Sequence, residues 1–198
     1  MSFLREVKLD ENEFPPFANA RKAFGFVPNF YRAQTLRPDL IEAETRLVGS
    51  VLLNEGALSR AQKEYIFLVC SAANLSTYCV TAHCEIVRAL GLSGPEPEKI
   101  AVDHAHADIP IADKALLNFV LKLNRQATRV GRDDIEGLRT YGFSDEQILE
   151  ATLLVGWAKF ANTVAFGLGT VPDFENRRIA EELGKARAEN REELPAVG

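Results

Sequence analysis

Apolar residues recur along this chain at spacings of three and four almost throughout, and no run alternates strictly, so the pattern predicts an all-α protein. After an extended leader over residues 1–16, a short helix is expected from about Phe17 to Phe24, ended by Gly25. Pro28 and Pro38 each suit the first position of a helix, where a missing N–H removes no hydrogen bond. The helix opened by Pro38 is expected to bury Leu40, Ile41, Leu47, Val48, Val51 and Leu52, and Gly56 should stop it.

Ser59 with Gln62 reads as a capping box and sets the next helix start at about Arg60. From Tyr65 to Ala73 this helix is apolar nearly all round, interrupted by Ser71, which marks it as the central core helix. Asn74, Leu75 and Ser76 break the run, and a second helix follows from Ser76 or Thr77 to Gly91. The stretch from Ser93 to Pro110 reads as a connection with one helical turn near Glu98 to Val102. Leu116, Phe119, Val120, Leu123 and Ala127 then line a further helix, and a shorter one runs from Asp133 to Thr140. Ser144 with Gln147 repeats the cap before a long helix, apolar through Leu149, Leu153, Leu154, Trp157, Phe160 and Val164 up to Gly167. Beyond Pro172, Glu and Arg interleave, which predicts a solvated or partner-contacting helix to Ala188 and a frayed final ten residues. The organisation expected is a leader at 1–16, one helical domain at 17–174 and a charged C-terminal arm at 175–198.

Composition narrows the classes of function. With 198 residues, 46% of them hydrophobic and 26% charged, the chain can build a sizeable core, and disorder throughout is excluded. Its 23 Lys and Arg against 28 Asp and Glu give a net charge of −5 with the signs interleaved, so no basic stripe is available for nucleic acid. The most apolar stretch, Ile148 to Ala161, carries Glu150, Thr152 and Lys159 and falls short of a bilayer span. The N-terminal segment has no apolar signal core, which makes the cytoplasm the expected compartment. Three cysteines, Cys70, Cys79 and Cys84, are too few and odd in number for a disulfide framework, which fits a reducing compartment.

Candidate chemistry gathers around Cys79. Cys79 and His83 stand four apart in one helix, within reach of a thiolate–imidazole contact. Cys79 also lies about three residues into that helix, where free N–H groups favour a negative charge, so both features should lower its thiol pKa. Glu64, early in the preceding helix, faces an apolar neighbourhood where burial should raise its carboxyl and suit it to relaying protons. Spacing alone is a weak signal, because a Cys and a His four apart also arise as core filler.

The order of these residues resembles a known signature. Glu64, then Ser76, Cys79 and His83 after steps of twelve, three and four residues, are similar to the motif of the alkylhydroperoxidase D (AhpD) and carboxymuconolactone decarboxylase superfamily, in its peroxidase-related branch. The turn Gly25-Phe26-Val27-Pro28-Asn29 and the opening Gly142-Phe143-Ser144 also resemble that branch, so the likeness spans roughly Phe17 to Phe174. It implies an AhpD-like helical bundle with a central helical hairpin carrying the site. It also implies that Cys79 attacks peroxide, with Glu64 and His83 as proton relay. Where the family has its first cysteine this chain has Ser76, which can donate a hydrogen bond but cannot close the family's disulfide.

Cys84 lies five residues past Cys79, about 140° around the helix and about 7.5 Å along it, too far for comfortable bridging. Cys70 sits in the apolar core run. An external thiol or redoxin is therefore the expected reductant of an oxidised Cys79. Tyr78 and, by the resemblance, Asn162 are candidates to line a substrate pocket. Asp103-His104-Ala105-His106-Ala107-Asp108 could supply metal ligands but lacks a recognised zinc spacing, and no motif implies a cofactor or metal. The expected function is a thiol-dependent peroxidase acting as a homo-oligomer, a dimer, trimer or hexamer. The alternatives are a carboxymuconolactone-decarboxylase-like lyase and a noncatalytic oligomer with a vestigial site.

Overall fold

The computed structural model describes residues 2–91 and 96–192. Among these residues the chain is all-α, with no strand. Helices α1 (Pro15–Phe24), α2 (Asn29–Arg32) and α3 (Pro38–Val48) follow the leader, and α3 runs on into a π-helical turn, Gly49–Leu53. The central hairpin is α4 (Arg60–Ala73) and α5 (Thr77–Ala89). After it come α6 (Pro97–Asp103), α7 (Ile111–Gln126), α8 (Arg132–Thr140), α9 (Asp145–Gly167) and α10 (Arg177–Glu192).

The core forms around α4, which packs against α5, α6, α7 and α9. Ile66, Leu68, Cys70 and Ser71 in it have no solvent contact at all. Its start is fixed as the sequence suggests: Ser59 Oγ accepts from the Gln62 N–H, and Gln62 Oε1 accepts from the Ser59 N–H. Ser144 and Gln147 fix the start of α9 in the same way. Gly25, at φ 81°, closes α1 with the left-handed residue that only glycine adopts without strain. No helix among the described residues is long and apolar enough to cross a membrane.

Three expectations need correction. Pro28 is the residue before α2 rather than its first position, with an extended ψ of 141°. In α3, Leu40 and Leu47 face solvent, and the buried face is instead Ile41 and Glu44, leading on to Val51 and Leu52. A buried glutamate disguised that face. Glu44 accepts from Gln34 Nε2 at 3.1 Å, and burial pushes its carboxyl up to about 7.

The charged arm, finally, is not simply solvated. Ile179 and Leu183 of α10 are buried against Leu68, Val80, Cys84 and Ala101. Asn176 anchors the start of α10, its Oδ1 accepting from the Ile179 N–H while its Nδ2 donates to Glu98 Oε1 at 2.6 Å. The fraying expected of the last ten residues falls mostly outside the described residues, as do residues 92–95 of the connection.

Because Ile179 has no solvent exposure, Ile179→Ala should cost about 2–5 kcal/mol in urea unfolding. A change under about 0.5 kcal/mol would show that α10 does not belong to the folded core.

Candidate active site

The α4–α5 hairpin owes its shape to a tight turn in which Leu75 takes φ 59°, a left-handed conformation costing a side-chain-bearing residue about 1–2 kcal/mol. A distant residue supports it. Arg187 of α10 donates from Nε to the Leu75 carbonyl at 2.9 Å and from Nη2 to Thr77 Oγ1 at 2.6 Å, with its guanidinium 4.8 Å from the Phe166 ring centroid. This turn sets Ser76 as the residue preceding α5 and Cys79 as the third residue inside it.

On the α4 side, Glu64 has no solvent exposure. Arg60, one turn earlier, donates from Nε to its Oε1 at 2.8 Å and forms an ion pair with it through Nη2 at 2.7 Å. His83 Nδ1 lies 2.6 Å from the other oxygen, Oε2. The imidazole stacks on Phe67 with centroids 3.9 Å apart, so both its plane and its edge are fixed. Burial pushes the Glu64 carboxyl up, but the charges and hydrogen bonds of His83 and Arg60 outweigh it and hold the group below its ordinary value. The expectation of a raised Glu64 carboxyl is thereby corrected: it is held below its ordinary value, on the edge of the ring that it meets.

Cys79 is 3% exposed and surrounded by core. Ser76 and Asn162 hydrogen-bond its side chain and favour the thiolate, but burial dominates and pushes the thiol above its ordinary value. This corrects the expectation of a depressed thiol. Among the described residues no hydrogen bond joins Cys79 to His83, whose Nδ1 is committed to Glu64, and the helix N-terminus does not compensate for lost water.

The other anticipated residues divide. Ser76 precedes α5 without capping it and turns to Cys79 instead. Tyr78 stacks on Phe30, donates to Asp173 Oδ2 at 2.6 Å and accepts from the Phe30 N–H at 3.1 Å, latching α2 and the segment after α9 onto α5. Asn162 is buried beside Cys79 at the heart of α9. Cys70 and Cys84 are buried free thiols, each pushed up to about 12 chiefly by burial, and Cys84 packs under α10. The Asp103–Asp108 run does not converge: His104 Nε2 meets Asn118 Oδ1, while His106 pairs with Asp103 at the surface.

Sequence reasoning missed Arg60, although a residue four before a buried glutamate is its natural helical partner. It also missed Asn74 and Asn124, whose amides pair with each other between α4 and α7.

No family model matches the sequence, and no curated protein does. Solved structures do match. An uncharacterised peroxidase-related protein from Ralstonia eutropha JMP134, described as an alkylhydroperoxidase AhpD core, is 29% identical with a TM-score of 0.80, over 90% of this chain and 94% of that one. A peroxidase-related protein from Silicibacter sp. TM1040 is 26% identical with a TM-score of 0.78, over 84% and 87% of the two chains. The debrominase Bmp8, in complex with 2,3,4-tribromopyrrole, superposes with a TM-score of 0.75 over 92% of this chain and all of its own, at 18% identity, which speaks for the fold alone.

The Glu64 geometry fixes a sign in pH dependence. A carboxyl held below its ordinary value of 4.5 contributes stability that is present above that value and lost as pH falls through the lower, folded one. Glu64→Gln should therefore unfold at lower urea than the unaltered protein at pH 7, with the gap narrowing as pH falls below 4.5. A gap that persists unchanged at pH 3 would contradict an ionised Glu64.

Proposed function

Starting from an AhpD-like chain, we propose a thiol-dependent peroxidase of the antioxidant type, with Cys79 as the atom that meets peroxide. The observation that carries this reading is the fixed Arg60–Glu64–His83 array one helical turn from a buried cysteine. The peroxidase-related names of the neighbours at 26–29% identity support it.

The resting thiol is protonated, so chemistry starts with transfer of its proton to His83 Nε2. Glu64 stabilises the imidazolium that results, as a buried carboxylate does for any catalytic histidine it orients. The thiolate attacks the terminal oxygen of ROOH, the O–O bond breaks, and the departing alkoxide takes the proton from His83 to leave as ROH. Cys79 is then a sulfenic acid. One external thiol displaces water from it to give a mixed disulfide, and a second releases Cys79 as thiol together with the external disulfide. Ser76 cannot replace either reductant, and Cys70 and Cys84 are too deeply buried and too weakly acidic to do so. A small thiol or a redoxin in a reducing cytoplasm fills that role.

Organic and inorganic hydroperoxide should be consumed with dithiothreitol as reductant. Cys79→Ser should abolish turnover, and His83→Ala should lower it roughly 10²-fold. Intact mass after peroxide alone should show one added oxygen. A loss of two mass units, marking an internal disulfide, overturns the external-thiol cycle. No turnover with Cys79 intact favours the noncatalytic alternative.

Assembly into a homo-oligomer belongs to the same reading. Leu149, Leu153 and Phe160 share an exposed face of α9 with Gly156 between them, an apolar stripe of the kind that copies of a chain bury together. Light scattering should show more than one chain per particle, and Leu153→Glu with Phe160→Glu should reduce it to one. A monomeric unaltered protein would refute the assembly.

A further inference from the structure

An apolar core can be filled by apolar side chains at no electrostatic cost, and this one largely is. Yet a row of amides crosses it between α4, α7 and α9. Asn124 Nδ2 donates to Asn74 Oδ1 at 2.9 Å, and Asn74 Nδ2 returns a bond to Asn124 Oδ1 at 3.3 Å. The Asn74 amide also donates to Asn162 Oδ1 at 2.8 Å. Asn162 Nδ2 donates to Ser71 Oγ at 3.0 Å, and the same side chain hydrogen-bonds Cys79. Asn124 and Asn162 are 3% and 2% exposed, and Ser71 not at all.

Burying such groups is costly unless each is satisfied, and a half-satisfied row is worse than none. This row is satisfied along its length, and its direction has a chemical meaning. An amide can present oxygen or nitrogen, and the Asn74 donor occupies the Asn162 oxygen. The Asn162 NH2, which bonds Ser71 Oγ, is thereby also the end of the amide that can reach the sulfur as a donor. A thiolate or sulfenate accepts hydrogen bonds and needs donors, which the reversed amide could not supply. Ser76 adds a second donor to the same sulfur.

We infer that Asn162 is a catalytic residue that stabilises the Cys79 anion through its Nδ2 group, and that Asn74 and Asn124 are positioning residues that hold its amide in the donating orientation. No bond is made or broken by any of the three. They act on the thiolate before attack and on the sulfenate after it, in a site with little water to do so. The inference rests on Cys79 being the reacting atom, but its test needs no peroxide and so fails separately from the peroxidase reading.

The test is the pH profile of Cys79 alkylation by iodoacetamide, with the adduct mapped to Cys79 by peptide mass. Asn162→Leu should move the midpoint up by about one pH unit, so the rate at pH 7 falls roughly tenfold. Asn162→Asp, nearly identical in shape but accepting and anionic, should shift it at least as far and serves if the Leu variant does not fold. Asn74→Ser, which frees the Asn162 oxygen, should give a smaller upward shift and should add little to Asn162→Asp. A purely structural row would lower the urea midpoint in all three while leaving the alkylation midpoint where it was. That outcome, or an unchanged profile in Asn162→Asp, overturns the inference.

Discussion

A carboxylate without solvent contact, Glu64, organises this molecule's chemistry. Stripping a carboxylate of water costs several kcal/mol, and the structure answers with the Arg60 guanidinium on one oxygen and the His83 imidazole on the other. Removing either partner would leave a charge in the core with half its compensation. The stacked Phe67 then leaves the ring no freedom to tilt. This constraint fixes the edge that His83 keeps for Glu64 and leaves Nε2 as its other edge.

That Glu64, Cys79 and His83 share one helical hairpin was readable from their spacing, whereas Arg60, Asn74 and Asn124 were not singled out. Ser59 and Ser144 announce their helices directly, since capping is a local interaction between residues three apart. The ionisation states were not readable. Whether Glu64 is raised or lowered depends on Arg60 and His83 arriving at opposite oxygens, and whether Cys79 is lowered depends on how much core closes over it. Both are sums of opposing contributions that only tertiary packing decides. The Glu44 face of α3 was misread for a related reason: a carboxyl that burial renders easy to protonate takes a place the pattern reserves for leucine.

Ser76 changes the logic of the site without changing its shape. A hydroxyl at that position places an oxygen beside the sulfur and cannot join it in a disulfide, so under the proposed reaction the oxidising equivalents leave the chain through another molecule. The two remaining thiols reinforce this, since each is buried and strongly disfavoured as a thiolate.

The hold of Arg187 on the Leu75 carbonyl ties the centre of the chain to its last helix. During synthesis the hairpin bearing Glu64, Cys79 and His83 is made nearly a hundred residues before Arg187 is added. The strained turn is then without its guanidinium support, and Val80 and Cys84 without the apolar cover of Ile179 and Leu183. A chain cut short of α10 would lack this cover over Val80 and Cys84 and would expose a thiol that the folded protein conceals.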